Sequence, residues 1–160
     1  MYDRGKELDL RTYKDLQFFA AMGPPGGGRN NVDPRFISLF NVFNLTPPSE
    51  FVLSHIYNSI ITTYLKDKFE ENIVSLGPKL TTATLQLYSK LLVALPPTPS
   101  KFHYVFNLRD LGRIFEGLCR ATPDEFENNP GGLVRLWRNE CTRVFFDRLI
   151  SEEDQDYSFE

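Results

Sequence analysis

The sequence predicts a mainly α fold, a four-helix bundle preceded by a partial α/β remnant of two strands. Three observations predict it. After Pro47-Pro48 the apolar residues recur with the 3.6-residue period of a helix in four successive stretches. Proline and glycine clusters, Pro96-Pro97, Pro99 and Gly131-Gly132, punctuate those stretches. Before Thr46 the pattern is different, with an almost continuous apolar run at Leu16–Met22 and an alternating one at Asn41–Leu45. Both are β-type, and the first suits a strand buried on both faces of a parallel sheet.

A length of 160 residues allows one domain, or a small domain with part of another. With 14 Phe and 7 Tyr there is enough bulk for a core. A net charge of −3 gives no electrostatic case for nucleic acid or an anionic membrane surface. No apolar run approaches the roughly 20 residues of a membrane span, and the charged start MYDRGKELDL does not suit a signal peptide. The two cysteines, Cys119 and Cys141, sit in helical patterns with no Cys/His spacing for zinc, so no metal site is expected and reduced thiols are. His55 and His103 lie among apolar and aromatic residues and are expected to be packed or partly exposed rings, not bases.

In chain order, residues 1–14 are polar and lead into the first strand, which ends in the Gly/Pro-rich loop from Gly23 to Asn31. Asp33 and Pro34 form a helix start, with Asp33 as N-cap and Pro34 at the first helical position. The Asn41–Leu45 strand then stops at Pro47-Pro48. The first long helix is expected to bury Val52, Leu53, Ile56, Tyr57, Ile60, Ile61, Tyr64 and Leu65. Lys66–Gly77 reads as a connection. The second helix, Leu80–Leu95, carries Leu80, Ala83, Leu87, Leu91, Ala94 and Leu95. Asn107 caps the third, which carries Leu108, Leu111, Phe115, Leu118 and Cys119. Thr122–Gly132 reads as a loop. The fourth helix, Leu133–Ile150, buries Leu133, Leu136, Trp137, Cys141, Val144, Phe145 and Leu149. Its arginines 135, 138, 143 and 148 alternate with Glu140 and Asp147 and are expected on the solvent side. The division is thus residues 1–46, 47–152 and an acidic tail, 153–160, expected to fray.

The glycines at 26, 27 and 28 invite a phosphate-cradling loop, yet the pattern rejects it. Such a loop needs G-x-x-x-x-G-K-[ST], with its lysine on the terminal phosphates and its hydroxyl on Mg²⁺. Here Arg29-Asn30-Asn31 follow, and no G-x-G-x-x-G pattern completes either. Two other arginines have distinctive settings. Arg35 follows an N-cap and a proline, and either stays exposed for a phosphate or pairs with Asp33. Arg109 lies in the first turn of a helix, where the dipole favours anions. Its partner is Asp110 or a bound phosphate, and Arg113 can share either role. No Ser/His/Asp or Cys/His set and no self-sufficient catalytic site is found.

These residues also carry a family resemblance. AAMGPPGGGRN, DPRFISLFNVF, PPTPSKFHYVFNLRDLGRIFEGL and LVRLWRNECTRVFFDRLI, in this order and spacing, resemble the dynein heavy chain of axonemal (ciliary) type, and most of all its third AAA+ module. The resemblance covers nearly the whole chain. It implies that residues 1–46 end a large α/β subdomain with its fourth and fifth strands, and that residues 47–152 are the helical lid. It implies that the first-sensor position falls on Gly23, where many AAA+ modules carry Asn. It puts the arginine finger for a neighbouring module on Arg35, with Arg29 as second candidate, and the second sensor on Arg109.

The family's function implies a part in a microtubule minus-end-directed, ATP-driven motor of the cytoplasm, cytoskeleton and ciliary axoneme. ATP or ADP with Mg²⁺ belongs to the parent module. With neither a Walker A nor a Walker B motif, this segment alone is expected to bind no nucleotide tightly and to be inactive. Its partners are adjacent AAA+ modules and, through the parent, the microtubule and dynein subunits, with no nucleic acid or membrane among them. The rival from another class is a helical scaffold domain binding an acidic protein.

Overall fold

The computed structural model describes residues 10–25, 29–126 and 129–156. Its helices are α1 (Pro34–Ile37), α2 (Glu50–Lys68), α3 (Glu71–Val74), α4 (Leu76–Ala94), α5 (Leu108–Leu118), α6 (Pro123–Phe126), α7 (Pro130–Cys141) and α8 (Glu152–Asp156), with a π-helical turn at Thr142–Phe146 between the last two. The mainly α expectation holds. The four long helices α2, α4, α5 and α7 correspond to the four periodic stretches, with α2 against α4, α5 against α7, and further contacts closing the bundle.

The two strands do not form a sheet. Among the described residues, Leu16–Met22 and Asn41–Leu45 join no β-ladder, and the extended pairing is limited to single-residue bridges at Leu10 and Arg29. Both segments are exposed, Phe19 and Phe43 each by 86%. The physical reason is that a strand exists only by pairing its N–H and C=O groups with a neighbour, and the described residues supply none. Every described residue of the buried core lies at or after Leu53.

Several boundaries differ from the sequence expectation, each for a local reason. Lys66–Gly77 is not a plain connection, because α2 runs on to Lys68 and α3 inserts Ile73 and Val74 into the core. Pro78 is tolerated inside α4 because it falls in the first turn, whose N–H groups have no helical partner. Gly131 and Gly132 belong to α7, not to a loop. Pro130 starts that helix and the Asn129 side chain accepts from Gly131 N at 2.9 Å. The α6 turn replaces more of the same loop.

The buried faces are narrower or more polar than periodicity suggests. On α2 the core takes Leu53, Tyr57, Ile61 and Leu65, while Val52, Ile56 and Ile60 remain 42–47% exposed. Helix α4 buries Thr81 and Thr84, whose hydroxyls donate to Gly77 O and Leu80 O. Trp137 Nε1 donates to Thr84 Oγ1 at 2.8 Å, so this buried pair is satisfied across the bundle. Phe145 lies at the centre, fully buried, with Tyr88, Phe106 and Phe146 rings around it. Cys141 is a free buried thiol, pushed up to about 12 by burial and then by the nearby Glu140 charge. Cys119 is free and half-buried. His55 is exposed and His103 is half-buried, edge-on to Phe102 and Tyr104.

The acidic tail is in part structured. Residues 157–160 lie outside the described residues, but α8 docks through Asp154. That carboxylate accepts from Lys101 Nζ, from Ser151 Oγ and, at 2.9 Å, from the buried Tyr104 hydroxyl. The same hydroxyl accepts from Ile150 N at 2.9 Å. Hydrogen bonding, first of all from Lys101, pulls the Asp154 carboxyl from 3.8 down to about 2.

A carboxyl lowered in the folded state adds stability that is complete above its unfolded value and is lost as the pH falls through the folded value. Docking of α8 should therefore weaken between about pH 4 and about pH 2. Amide chemical shifts of Ser151–Gln155 followed down that range should report the release, and Asp154→Asn should remove the transition. An unchanged acid transition in that variant would contradict the assignment.

Candidate functional site

The start of α5 is the most closely specified polar site of the bundle. Asn107 is extended and accepts from Arg109 N through Oδ1 at 2.9 Å, while Asp110 Oδ2 accepts from Asn107 N at 3.0 Å. This is a reciprocal capping box, which satisfies helix-start N–H groups from both directions. Asp110 is only 3% exposed. A carboxylate so buried needs cationic partners, and the partner is not Arg109. Arg148 Nη2 donates to Asp110 Oδ1 at 2.9 Å and Nη1 reaches Oδ2 at 3.4 Å. Arg113 stands at 3.7 Å on the solvent side.

Arg148 was expected on the exposed face of the fourth helix, and this is overturned. It is tucked against the bundle, donating also to Val144 O at 3.0 Å and Val105 O at 3.2 Å, with its guanidinium 5.2 Å from the Phe106 ring centre. The cause is the π turn at Thr142–Phe146, closed by Asp147 N on Thr142 O. A π turn uses one residue more per ring than an α turn, so the residues beyond it present a face advanced by one position. Glu140 is likewise buried rather than exposed, with Arg143 Nη2 at 2.6 Å and its carboxylate against Gly117. A Cβ at Gly117 would strike that carboxylate, so a larger residue there would require Glu140 to move.

With Asp110 committed, the Arg109 side chain is exposed and makes no hydrogen bond or ion pair among the described residues. Arg35 is also exposed. Its backbone N–H is held by Asp33 Oδ1 at 2.9 Å, while its guanidinium does not pair with Asp33. The Arg29 guanidinium lies over Gly23, in the space that a Cβ there would fill. Gly23 and Arg29 are thus together, and Arg35 and Arg109 share no contact with them or each other through hydrogen bonds, ion pairs or rings. Gly26, Gly27 and Gly28 lie outside the described residues.

A separate cleft of about 480 Å³ opens between α5 and α7, lined by Arg113, Glu116, Arg120, Leu136, Glu140 and Arg143 among others. Its charges are largely matched internally, Arg120 with Glu116 and Arg143 with Glu140, each at 2.6 Å. Among the described residues no group of His, Cys, Asp and Glu could hold a metal ion. No described helix is long and apolar enough to cross a membrane. Sequence reasoning missed the parts of Asp110 and Arg148. The Asn107-x-x-Asp110 spacing was a legible cap signal, whereas Arg148 had none.

Residues 80–159, which span most of the bundle, match the AAA+ lid domain family. Residues 1–48 match the P-loop containing dynein motor region. The chain belongs to the dynein heavy-chain family of axonemal type. It is 57% identical over 155 residues to human dynein axonemal heavy chain 10, and 54% identical over 156 residues to the dynein-1-alpha heavy chain of the flagellar inner arm I1 complex of Chlamydomonas reinhardtii. It is 43% identical over 155 residues to mouse dynein axonemal heavy chain 2. Each match covers 97% of this chain and 3% of the relative.

Removing Asp110 should leave Arg148 uncompensated and uncap α5. Asp110→Ala should cost roughly 3–5 kcal/mol, as for breaking one side of a buried ion pair, read as a lowered urea midpoint with unchanged slope. A loss under about 1 kcal/mol, the worth of a surface pair, would contradict the pairing.

Proposed function

We propose that this chain is the trailing part of the third AAA+ module in an axonemal dynein motor ring, contributing nucleotide sensing and coupling between modules. Residues 1–46 then end the large subdomain, residues 47–152 are the lid, and residues 153–160 are an acidic tail. The parent is an ATP-driven, minus-end-directed microtubule motor of the ciliary axoneme and cytoskeleton. Its adjacent AAA+ modules are the immediate partners, alongside microtubule and dynein subunits. The exposed apolar segments before Thr46 fit this reading, because they would be covered by the strands and helices of a complete large subdomain.

One observation carries the proposal: Arg109 is an unpaired, exposed cation on a helix start whose acid is already bound elsewhere. A charge there is tolerated against the helix dipole if it meets an anion. A guanidinium fork matches phosphate oxygens. Arg109 is the second sensor over the module's own nucleotide, ATP or ADP with Mg²⁺, and Gly23 takes the first-sensor position without a polar side chain. Arg35 is the finger lent to the neighbouring module, with Arg29 second because it lies over Gly23. Phosphoryl transfer is largely positioning and charge stabilisation, so arginines from a lid and a neighbour act on the reaction without a nucleophile or base of their own. Opening and closing of the lid would couple this module to the main ATPase site as a two-state rigid body. The 160-residue chain alone does not sustain turnover on this reading. The scaffold alternative is not favoured, since the match to a motor-region family covers the segment that it would leave unexplained.

In a full-length heavy chain, Arg109→Ala should weaken ADP and ATP binding at this module by roughly 10- to 150-fold, the worth of one charge-assisted hydrogen bond. Fluorescent-nucleotide titration, with the phosphate-loop lysines of the other modules replaced, measures it. Unchanged affinity would overturn the role of Arg109. Steady ATP turnover by the isolated chain, abolished by the same substitution, would overturn its incompetence in isolation.

A further inference from the structure

We propose that Arg148 is a positioning residue for Arg109, holding the start of α5 so that the Arg109 guanidinium is aimed at the nucleotide; this rests on the reading of Arg109 as the second sensor. Arg109 has no side-chain partner among the described residues, so its direction is set by the backbone turn that carries it. That turn is fixed by three bonds in series. Asn107 Oδ1 holds Arg109 N at 2.9 Å, Asp110 Oδ2 holds Asn107 N at 3.0 Å, and Arg148 Nη2 holds Asp110 Oδ1 at 2.9 Å.

The remaining donors of the same guanidinium reach past the cap. Nη1 donates to Val105 O at 3.2 Å, two residues before Asn107, and Nε to Val144 O at 3.0 Å within the π turn. One side chain therefore grips the chain on both sides of the α5 cap and ties it to the π turn that follows α7. The Phe106 ring covers its face. A lysine cannot substitute for it, because a point charge on a flexible stem lacks the fork that spans two carboxylate oxygens and two carbonyls. Arg113 faces Asp110 from the solvent side at 3.7 Å and would keep the carboxylate neutralised without restoring that grip. It is the reason that a neutral Arg148 variant retains a compensated Asp110.

Arg148 then matters to nucleotide only through Arg109. A double-mutant cycle in the full-length heavy chain tests it, using wild type, Arg109→Ala, Arg148→Gln and the double variant. Fluorescent ADP is titrated at this module with the other phosphate-loop lysines replaced. Arg148→Gln should weaken ADP binding on the order of 3- to 10-fold when Arg109 is present, and change it by less than about 1.5-fold when Arg109 is absent, the non-additivity of residues in one network. Arg148→Lys, which keeps the charge and loses the fork, should follow Arg148→Gln in sign and is the variant that carries the cycle if the glutamine form does not fold. Equal weakening in both backgrounds would make Arg148 merely structural and overturn the proposal. So would an unaltered affinity in the Arg148 variants. Failure of Arg109→Ala to weaken binding is the separate result that would overturn the sensor reading itself.

Discussion

A carboxylate buried to 3% exposure at the head of a helix constrains much of this bundle. Asp110 cannot be there uncompensated, since an isolated charge out of water is far costlier than any single packing gain. Its compensation comes from opposite directions in sequence. Asn107 N arrives from three residues before, and Arg148 from the far end of the chain, after a π turn has rotated it inward. The pair is less a source of stability than a specification of geometry. It dictates where α5 begins, how the Val105–Asn107 segment enters it, and which cation at that helix start is left without a side-chain partner among the described residues.

The remainder of the bundle keeps α5 in place from the other side. Tyr57 stacks on Phe115 with ring centres 4.4 Å apart and donates its hydroxyl to Leu108 O at 3.1 Å. Seven residues on, Tyr64 donates to Ala121 O at 2.8 Å. One helix thus holds a carbonyl at the start of α5 and another three residues beyond its end, each with an aromatic body in or beside the core and a polar tip on a backbone acceptor. Gly117 then lets Glu140 of α7 lie directly on the helix. A lid built this way has little freedom within α5.

The part before Thr46 follows different physics. Phe18, Phe19, Phe43 and Leu45 are 67–89% exposed on chain that joins no ladder among the described residues. The α1 turn between them still forms, because its cap is local: Asp33 Oδ1 on Arg35 N and Pro34 at the first position. Local signals are satisfied here and non-local ones are not. Capping needs only residues a few positions apart, whereas a strand needs a partner brought from a distance.

How much was legible follows the same division. The existence and order of the four long helices and the caps at Asp33 and Asn107 can be read from residues a few positions apart, because periodicity and capping are local chemistry. The same residues left open whether Arg35 pairs with Asp33 and whether Arg109 pairs with Asp110. The short helices α3 and α6 and the α7 start at Pro130 were hidden by glycine and charge that read as loop. Pairings between distant residues were not legible. Asp110 had Arg109 and Arg113 beside it in sequence, yet took Arg148, 38 residues away. Val52, Ile56 and Ile60 are as apolar as their neighbours on α2, yet stay half exposed because α4 and α5 cover only the adjoining stripe. The sequence by itself determined the order of the four long helices and the local caps at Asp33 and Asn107. Only the tertiary structure decided which charges face each other, because a buried charge takes the partner that packing brings within reach and not the one nearest along the chain.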